Sequence, residues 1–89
     1  MLLIRPSIQS SLCKAIRDCR ITLGLSADDF AQRLGKPITY VNQIEQAELS
    51  LDGRKLKSCA NALGISSVDL IDIAYSAREM SAVGEEYFD

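Results

Sequence analysis

Residues 26–45 read Ser26-Ala-Asp-Asp-Phe30-Ala-Gln-Arg-Leu-Gly35-Lys-Pro-Ile-Thr-Tyr40-Val-Asn-Gln-Ile-Glu45. Two short apolar-periodic segments meet here at a turn centred on Gly35. The first places Phe30, Ala31 and Leu34 on one helical face. The second places Val41 and Ile44 inward, which leaves Thr39, Asn42 and Gln43 to point outward. Ser26 can cap the first segment, with Asp29 three residues on as a partial capping box. Asp28 and Asp29 suit the positive end of that helix. Pro37 is tolerated where it stands, at the start of the second.

Two short helices joined this way have the layout of a helix-turn-helix, here over residues 26–46. In that motif the second helix enters the major groove of DNA. Threonine, asparagine and glutamine are side chains that can read base edges there. The candidate base-contacting residues are therefore Thr39, Asn42 and Gln43. Ile38 joins them, because an apolar group at the start of the helix can meet a thymine methyl; packing against the preceding helix is its other reading. Tyr40 can reach a phosphate through its hydroxyl or lie half-buried.

Working outward, the same periodicity predicts helix 1 over about Ser10–Leu23, with Leu12, Ile16, Cys19 and Leu23 on one face and Gly24 as its stop. Helix 4 is expected over about Asp52–Leu63, burying Leu56, Cys59, Ala60 and Leu63, and stopping at Gly64. Helix 5 begins after Ser66 and continues to around Met80. No run of alternating β-branched residues suggests a sheet. The fold class expected is all-α, a compact five-helix bundle. Residues 1–80 form the helix-turn-helix domain and residues 81–89 an acidic tail without periodicity.

Helix 5 carries Val68, Leu70, Ile71, Ile73, Ala74 and Tyr75 over more than one face. One face can pack on the bundle, and the surplus calls for a further partner. A homodimer interface formed by Val68, Ile71, Ile73 and Tyr75 is the expectation; residues 1–8 folding back is the alternative.

Composition bounds the chemistry. Eighty-nine residues suit one small domain, and 47% are apolar, too many for a disordered chain. The chain has no histidine, and its three cysteines, Cys13, Cys19 and Cys59, form no close CxxC pair. This argues against a zinc site and against histidine-based catalysis. The cysteines read as reduced thiols packed as small apolar groups. Asp28-Asp29 and Asp69-x-x-Asp72 are explained by helix starts, and no nucleophile–base pair or phosphate loop occurs. We expect no enzyme, no metal and no cofactor. Met1–Ile4 is apolar but stops at Arg5-Pro6, too short for a signal or membrane span, so a cytoplasmic location without membrane contact is expected.

The net charge of -2 runs against nucleic acid until its distribution is considered. Residues 78–89 hold Arg78 against Glu79, Glu85, Glu86 and Asp89, a net -3 that leaves +1 on residues 1–77. The acidity is concentrated where it can lie away from a DNA face.

The segment from Cys13 to Ile73, about two thirds of the chain, resembles the Cro and phage-repressor class of helix-turn-helix proteins, the XRE family. Four pieces carry the resemblance in order: Arg20-x-x-x-Gly24-Leu25-Ser26, Phe30-Ala31-x-x-x-Gly35, Val41-x-x-Ile44-Glu45, and Ala62-Leu63-Gly64-Ile65-Ser66. It implies a lambda-repressor-like DNA-binding domain that acts as a homodimer on two half-sites of double-stranded DNA. It matches Thr39, Asn42 and Gln43 to the base-reading face. It also implies a structural ion pair between Arg20 and Glu45. Lys36, Arg54 and Lys55 become the candidate phosphate clamps, with Ser26 as a further hydroxyl donor. Basic residues at the start of helix 4 oppose its dipole, and a phosphate would supply the reason for them.

Three departures bear on that grip. Ala27 stands where the family often has a phosphate-holding Gln. Ala47 stands where Gly is common. Ala47-Glu48-Leu49-Ser50 replaces a loop that is often basic. These keep open a second reading, a protein-binding or antitoxin-like module of the same fold working through a protein partner. Arg33, Lys36, Arg54 and Lys55 sharing one surface with Gln43 would favour DNA; neutralisation of that surface by Asp28 and Glu48 would favour the partner.

Overall fold

The computed structural model describes the backbone of residues 6–86 and side chains within residues 8–76. Five helices follow in order: α1 (Pro6–Thr22), α2 (Ala27–Leu34), α3 (Ile38–Glu45), α4 (Gly53–Leu63) and α5 (Ser67–Glu86). Helix α1 begins four residues earlier than the periodicity predicts. Pro6 suits a helix start, and the extra turn brings Ile8 into the buried stripe with Leu12 and Ile16. Helix α5 runs to Glu86, past the expected end at Met80. No proline interrupts residues 81–86, and they include helix-favouring Ala and Glu. The side chains of the acidic stretch 78–89 lie outside the described residues, and so do residues 1–5 of the segment 1–8 that was the alternative cover for α5.

The core is drawn from all five helices and one loop. Leu12 and Ile16 of α1 meet Phe30 and Ala31 of α2, Val41 and Ile44 of α3, Leu56, Cys59, Ala60 and Leu63 of α4, and Leu70 and Ala74 of α5. Leu51, from the loop before α4, is also buried, which the helical periodicity did not indicate. One predicted core position fails. Leu23 is 53% exposed, because α1 stops at Thr22 and the chain leaves helical phase before it.

Helices α1 to α4 all end in the same backbone device. Two or three residues past the end of each helix, an N–H reaches back five positions: Leu25 to Arg20, Lys36 to Ala31, Glu48 to Gln43, and Ile65 to Ala60, at 2.8–3.0 Å. The residue before that donor bonds three positions back. This Schellman geometry requires a left-handed residue at the turn. Gly24, Gly35 and Gly64 supply it at three ends; at α3 it falls on Ala47, with φ 59°. A left-handed residue with a Cβ costs about 1–2 kcal/mol, and glycine's greater unfolded freedom offsets about 0.4–1 of that. Ala47→Gly is therefore expected to stabilise the domain by about 0.5–1 kcal/mol, raising the midpoint of a thermal melt by a few degrees. An unchanged or lower midpoint would show that the turn carries no strain.

The helix starts are capped as their residues suggest. Ser26 Oγ accepts the Asp29 N–H at 3.0 Å, and the Asp29 carboxylate accepts the Ser26 N–H at 3.2 Å. These bonds hold the Asp29 carboxyl below its ordinary range. Asp52 caps α4 by accepting the Lys55 N–H at 2.9 Å, and its carboxyl is lowered for the same reason. All three cysteines are free thiols. Burial pushes Cys59 up to about 12, with Cys13 and Glu45 nearby adding to the effect. Cys13 and Cys59 thus serve as core residues of low reactivity, and Cys19 is half-buried.

Candidate nucleic-acid interface

The geometry of α3 follows from its two inward residues. Val41 and Ile44 are fully buried. Thr39, Asn42 and Gln43 on the other side of the helix are exposed, as is Ile38 at its start. Gln46, the residue that ends α3, is exposed as well. It lies four residues from Asn42 and three from Gln43, so it extends the same outer face. Helical spacing was the signal for Gln46, masked because it stands at the boundary of the periodic segment.

The expected pair between Arg20 and Glu45 is present and holds α3 in place. Arg20 Nε donates to Glu45 Oε2 at 2.6 Å and Nη2 to Oε1 at 2.9 Å, a bidentate fork. A third donor, Nη1, reaches the Leu25 carbonyl at 2.8 Å. The two side chains keep only 13% and 9% of their surface. One guanidinium thus joins α1, the turn before α2, and the end of α3. The Glu45 hydrogen bond holds the guanidinium still more firmly protonated than usual.

A second anchor was not foreseen. The Gln9 side-chain amide makes two bonds to Leu51, its Nε2 donating to the carbonyl at 2.8 Å and its Oε1 accepting the N–H at 2.9 Å. This ties the loop after α3 to α1 across 42 residues of sequence. A lone glutamine early in a helix offers no sequence signal for such a contact.

The candidate phosphate contacts are placed unequally. Lys36 is exposed in the turn entering α3, its ammonium 5.4 Å from the centroid of the Tyr40 ring. That ring is half-buried against the core, and burial raises the pKa of its hydroxyl. Arg54 is exposed in the first turn of α4. Lys55 beside it is half-buried, with Nζ donating to the Ser50 carbonyl at 3.1 Å. That bond to the preceding loop gives Lys55 a structural reason to stand at a helix start. Arg33 is drawn elsewhere. Its Nη1 donates to the Ala62 carbonyl at 3.1 Å, near the C-terminus of α4, where the dipole's negative end favours a cation. Eight residues of α4 separate Ala62 from Arg54, about 12 Å along the axis. Arg33 therefore does not join the cluster of Arg54 and Lys55. The acids Asp28, Asp29 and Glu48 are all exposed.

Helix α5 buries Leu70 and Ala74 and leaves Val68, Ile73 and Tyr75 exposed, so it does present apolar surface on more than one face. Ile71 packs partly against the core of its own chain. At about 100° per residue, Val68, Ile71 and Tyr75 fall within a narrow arc, whereas Ile73 lies about 160° from Ile71, across the buried stripe. The four cannot form one flat patch. Among the described residues, no helix is long and apolar enough to cross a membrane, and no group of His, Cys, Asp or Glu is arranged to hold a metal ion.

Comparison with known proteins agrees with this geometry. A family model described as helix-turn-helix matches residues 16–70. The chain belongs to the XRE-type helix-turn-helix family. The match begins at Ile16 in the core of α1 and ends at Leu70 in that of α5, so it takes in both residues of the Arg20–Glu45 pair. No curated protein matches the chain significantly. Among solved structures, the clp gene regulator ClgR from Corynebacterium glutamicum is similar at a TM-score of 0.81 and 23% identity, over 94% of this chain and 89% of that one. The restriction-modification controller protein C.Esp1396I is similar at 0.74 and 21% identity, over 81% of this chain and 94% of that one. At such identities the likeness shows a shared fold.

Proposed function

We propose that this chain is a sequence-specific DNA-binding regulator of transcription, acting as a homodimer on a palindromic operator. The observation that carries the reading is α3 itself. Thr39, Asn42 and Gln43 stand exposed on a helix held in place by buried residues and a bidentate ion pair. Each copy would lay α3 in one major groove, with Thr39, Asn42 and Gln43 at base edges and Ile38 at a thymine methyl. Lys36 and Arg54 are the phosphate contacts best placed by exposure. Lys55, Tyr40 and Ser26 contribute from positions that also have structural work. Val68, Ile71 and Tyr75 of α5 would form the dimer contact, with Ile73 outside its centre.

The test is selection of bound sequences from a random duplex pool at two salt concentrations, with Gln43→Ala alongside. The expected result is a palindromic site whose binding weakens with salt. In the variant, preference at one base pair per half-site should fall by about 1–3 kcal/mol, the discrimination of one bidentate contact. Absence of enrichment at low salt would favour the protein-binding reading. The acids beside the motif, Asp28, Asp29 and Glu48, are the observation that speaks for that reading.

A further inference from the structure

We propose that Gln9 is a positioning residue for DNA binding: by clasping Leu51 it holds the loop between α3 and α4 in the conformation that presents Lys55 to a phosphate. The inference rests on the DNA-binding reading above and names a residue outside the motif on which that surface depends. Gln9 stands in the extra first turns of α1, next to buried Ile8. It lies outside the segment 16–70 matched by the family model, whereas Leu51 and Lys55 lie within it.

Leu51 is a buried residue in a loop, so its N–H and carbonyl have no helical partners and need others. A side-chain amide is the neutral group that can donate to the carbonyl and accept from the N–H of one residue. Gln9 does both, at 2.8 and 2.9 Å. The residues on either side of Leu51 each hold Lys55. Asp52 accepts the Lys55 N–H at 2.9 Å, and the Ser50 carbonyl accepts from its Nζ at 3.1 Å. Lys55 is thus bonded, at its backbone and at its ammonium, to the two residues that flank the clasp. The bond to Ser50 matters because the dipole at a helix start repels a cation and would send a free ammonium outward. Ser50 takes one of the ammonium's donors and leaves the others for a phosphate. A cation already held in place loses less freedom when that phosphate arrives. Without Gln9 the Ser50–Asp52 segment loses its tie to α1, and the ammonium loses its direction.

The experiment measures binding of the full chain to a random-sequence duplex across a salt series. Non-specific affinity is governed by phosphates and needs no knowledge of the operator. Gln9→Met keeps the length of the side chain and removes both bonds. It is expected to bind about tenfold more weakly at low salt, with a salt slope shallower by about one for each copy bound. Ile16→Val, a small truncation in the buried face of the same helix, loosens the domain without touching the clasp and is expected to bind as wild type does. Two double variants separate positioning from general loosening. In a Lys55→Ala background Gln9→Met should cost nothing further, whereas in a Lys36→Ala background it should cost the same factor as in wild type. Thermal melts establish that each variant is folded. Gln9→Asn, one methylene too short to make both bonds, repeats the test should Gln9→Met fail to fold. Unchanged binding by the Gln9 variants, or a full further loss in the Lys55→Ala background, overturns the proposal and leaves the DNA-binding reading intact. Failure of the wild type to bind any duplex at low salt removes the reading itself, and the proposal with it.

Discussion

Glu45→Ala is expected to lower the melting temperature by on the order of 15 °C or more, corresponding to a loss of about 3–5 kcal/mol. The size of the effect comes from what remains behind. Arg20 loses both bonds of its fork and keeps only the Leu25 carbonyl, so a charge with 13% of its side-chain surface exposed is left without its counter-ion. Removing one partner of a buried pair costs the desolvation of the other, whereas removing both need cost little. Replacing Arg20 and Glu45 together by leucine is therefore expected to recover much of the stability that either single change loses. Glu48→Ala, at an exposed acid three residues on, serves as the surface control and should shift the melt by a degree or two at most. A shift for Glu45→Ala no greater than that control would mean that the fork contributes nothing net. Since the same guanidinium joins α1, the α1–α2 turn and α3, the variant should also lose sequence preference at temperatures where it is still folded.

Phe30→Ala is expected to cost about 3–5 kcal/mol through the cavity it leaves. Phe30 is the largest fully buried side chain of the core. It sits on α2, the helix packed against both α3 and α4, so no single neighbour can move in to fill the space. A small domain has a total stability of about 5–15 kcal/mol, and this one change would consume a large share of it. Denaturant unfolding gives the measurement, with Phe30→Leu beside it as the variant that keeps most of the volume. A loss below about 1 kcal/mol for the alanine variant would show that the bundle collapses around α2, and that α2 does not rigidly set the position of α3.

The two predictions probe different levels of the same arrangement. Phe30 secures the packing of the motif onto the bundle, and the Arg20–Glu45 fork secures the direction in which α3 is presented. Neither residue is a candidate for DNA contact. Changes in either should therefore weaken binding in proportion to the lost order of α3, while Gln43→Ala is expected to alter preference at one base pair and to leave the melt nearly unchanged.

Much of this architecture was legible residue by residue. The face of α2 through Phe30 and Ala31, that of α3 through Val41 and Ile44, and that of α4 through Leu56, Cys59, Ala60 and Leu63 all follow from a spacing of three and four, because a helix repeats every 3.6 residues. The Ser26–Asp29 capping box and the glycine stops at Gly24, Gly35 and Gly64 are local backbone chemistry, readable wherever the donor, acceptor and turn residue lie within a few positions. Helix boundaries were less legible. The start of α1 at Pro6 and the extension of α5 to Glu86 depend on propensities too even to mark an end.

The local chemistry of the chain thus settled its five helices, their buried faces and the outward set Thr39, Asn42 and Gln43, since these depend on neighbours within one or two turns. The resemblance to a family supplied the Arg20–Glu45 pair, and the tertiary structure showed its bidentate form and its third bond to Leu25. Folding alone decided that Gln9 would clasp Leu51, that Arg33 would turn to the end of α4, that Lys55 would reach Ser50, and that Ile73 would part from Val68 and Tyr75. It also placed the left-handed strain of the α3 turn on Ala47. Each of these joins groups by distance in space or by the path of a turn, and a one-dimensional pattern of spacing carries neither.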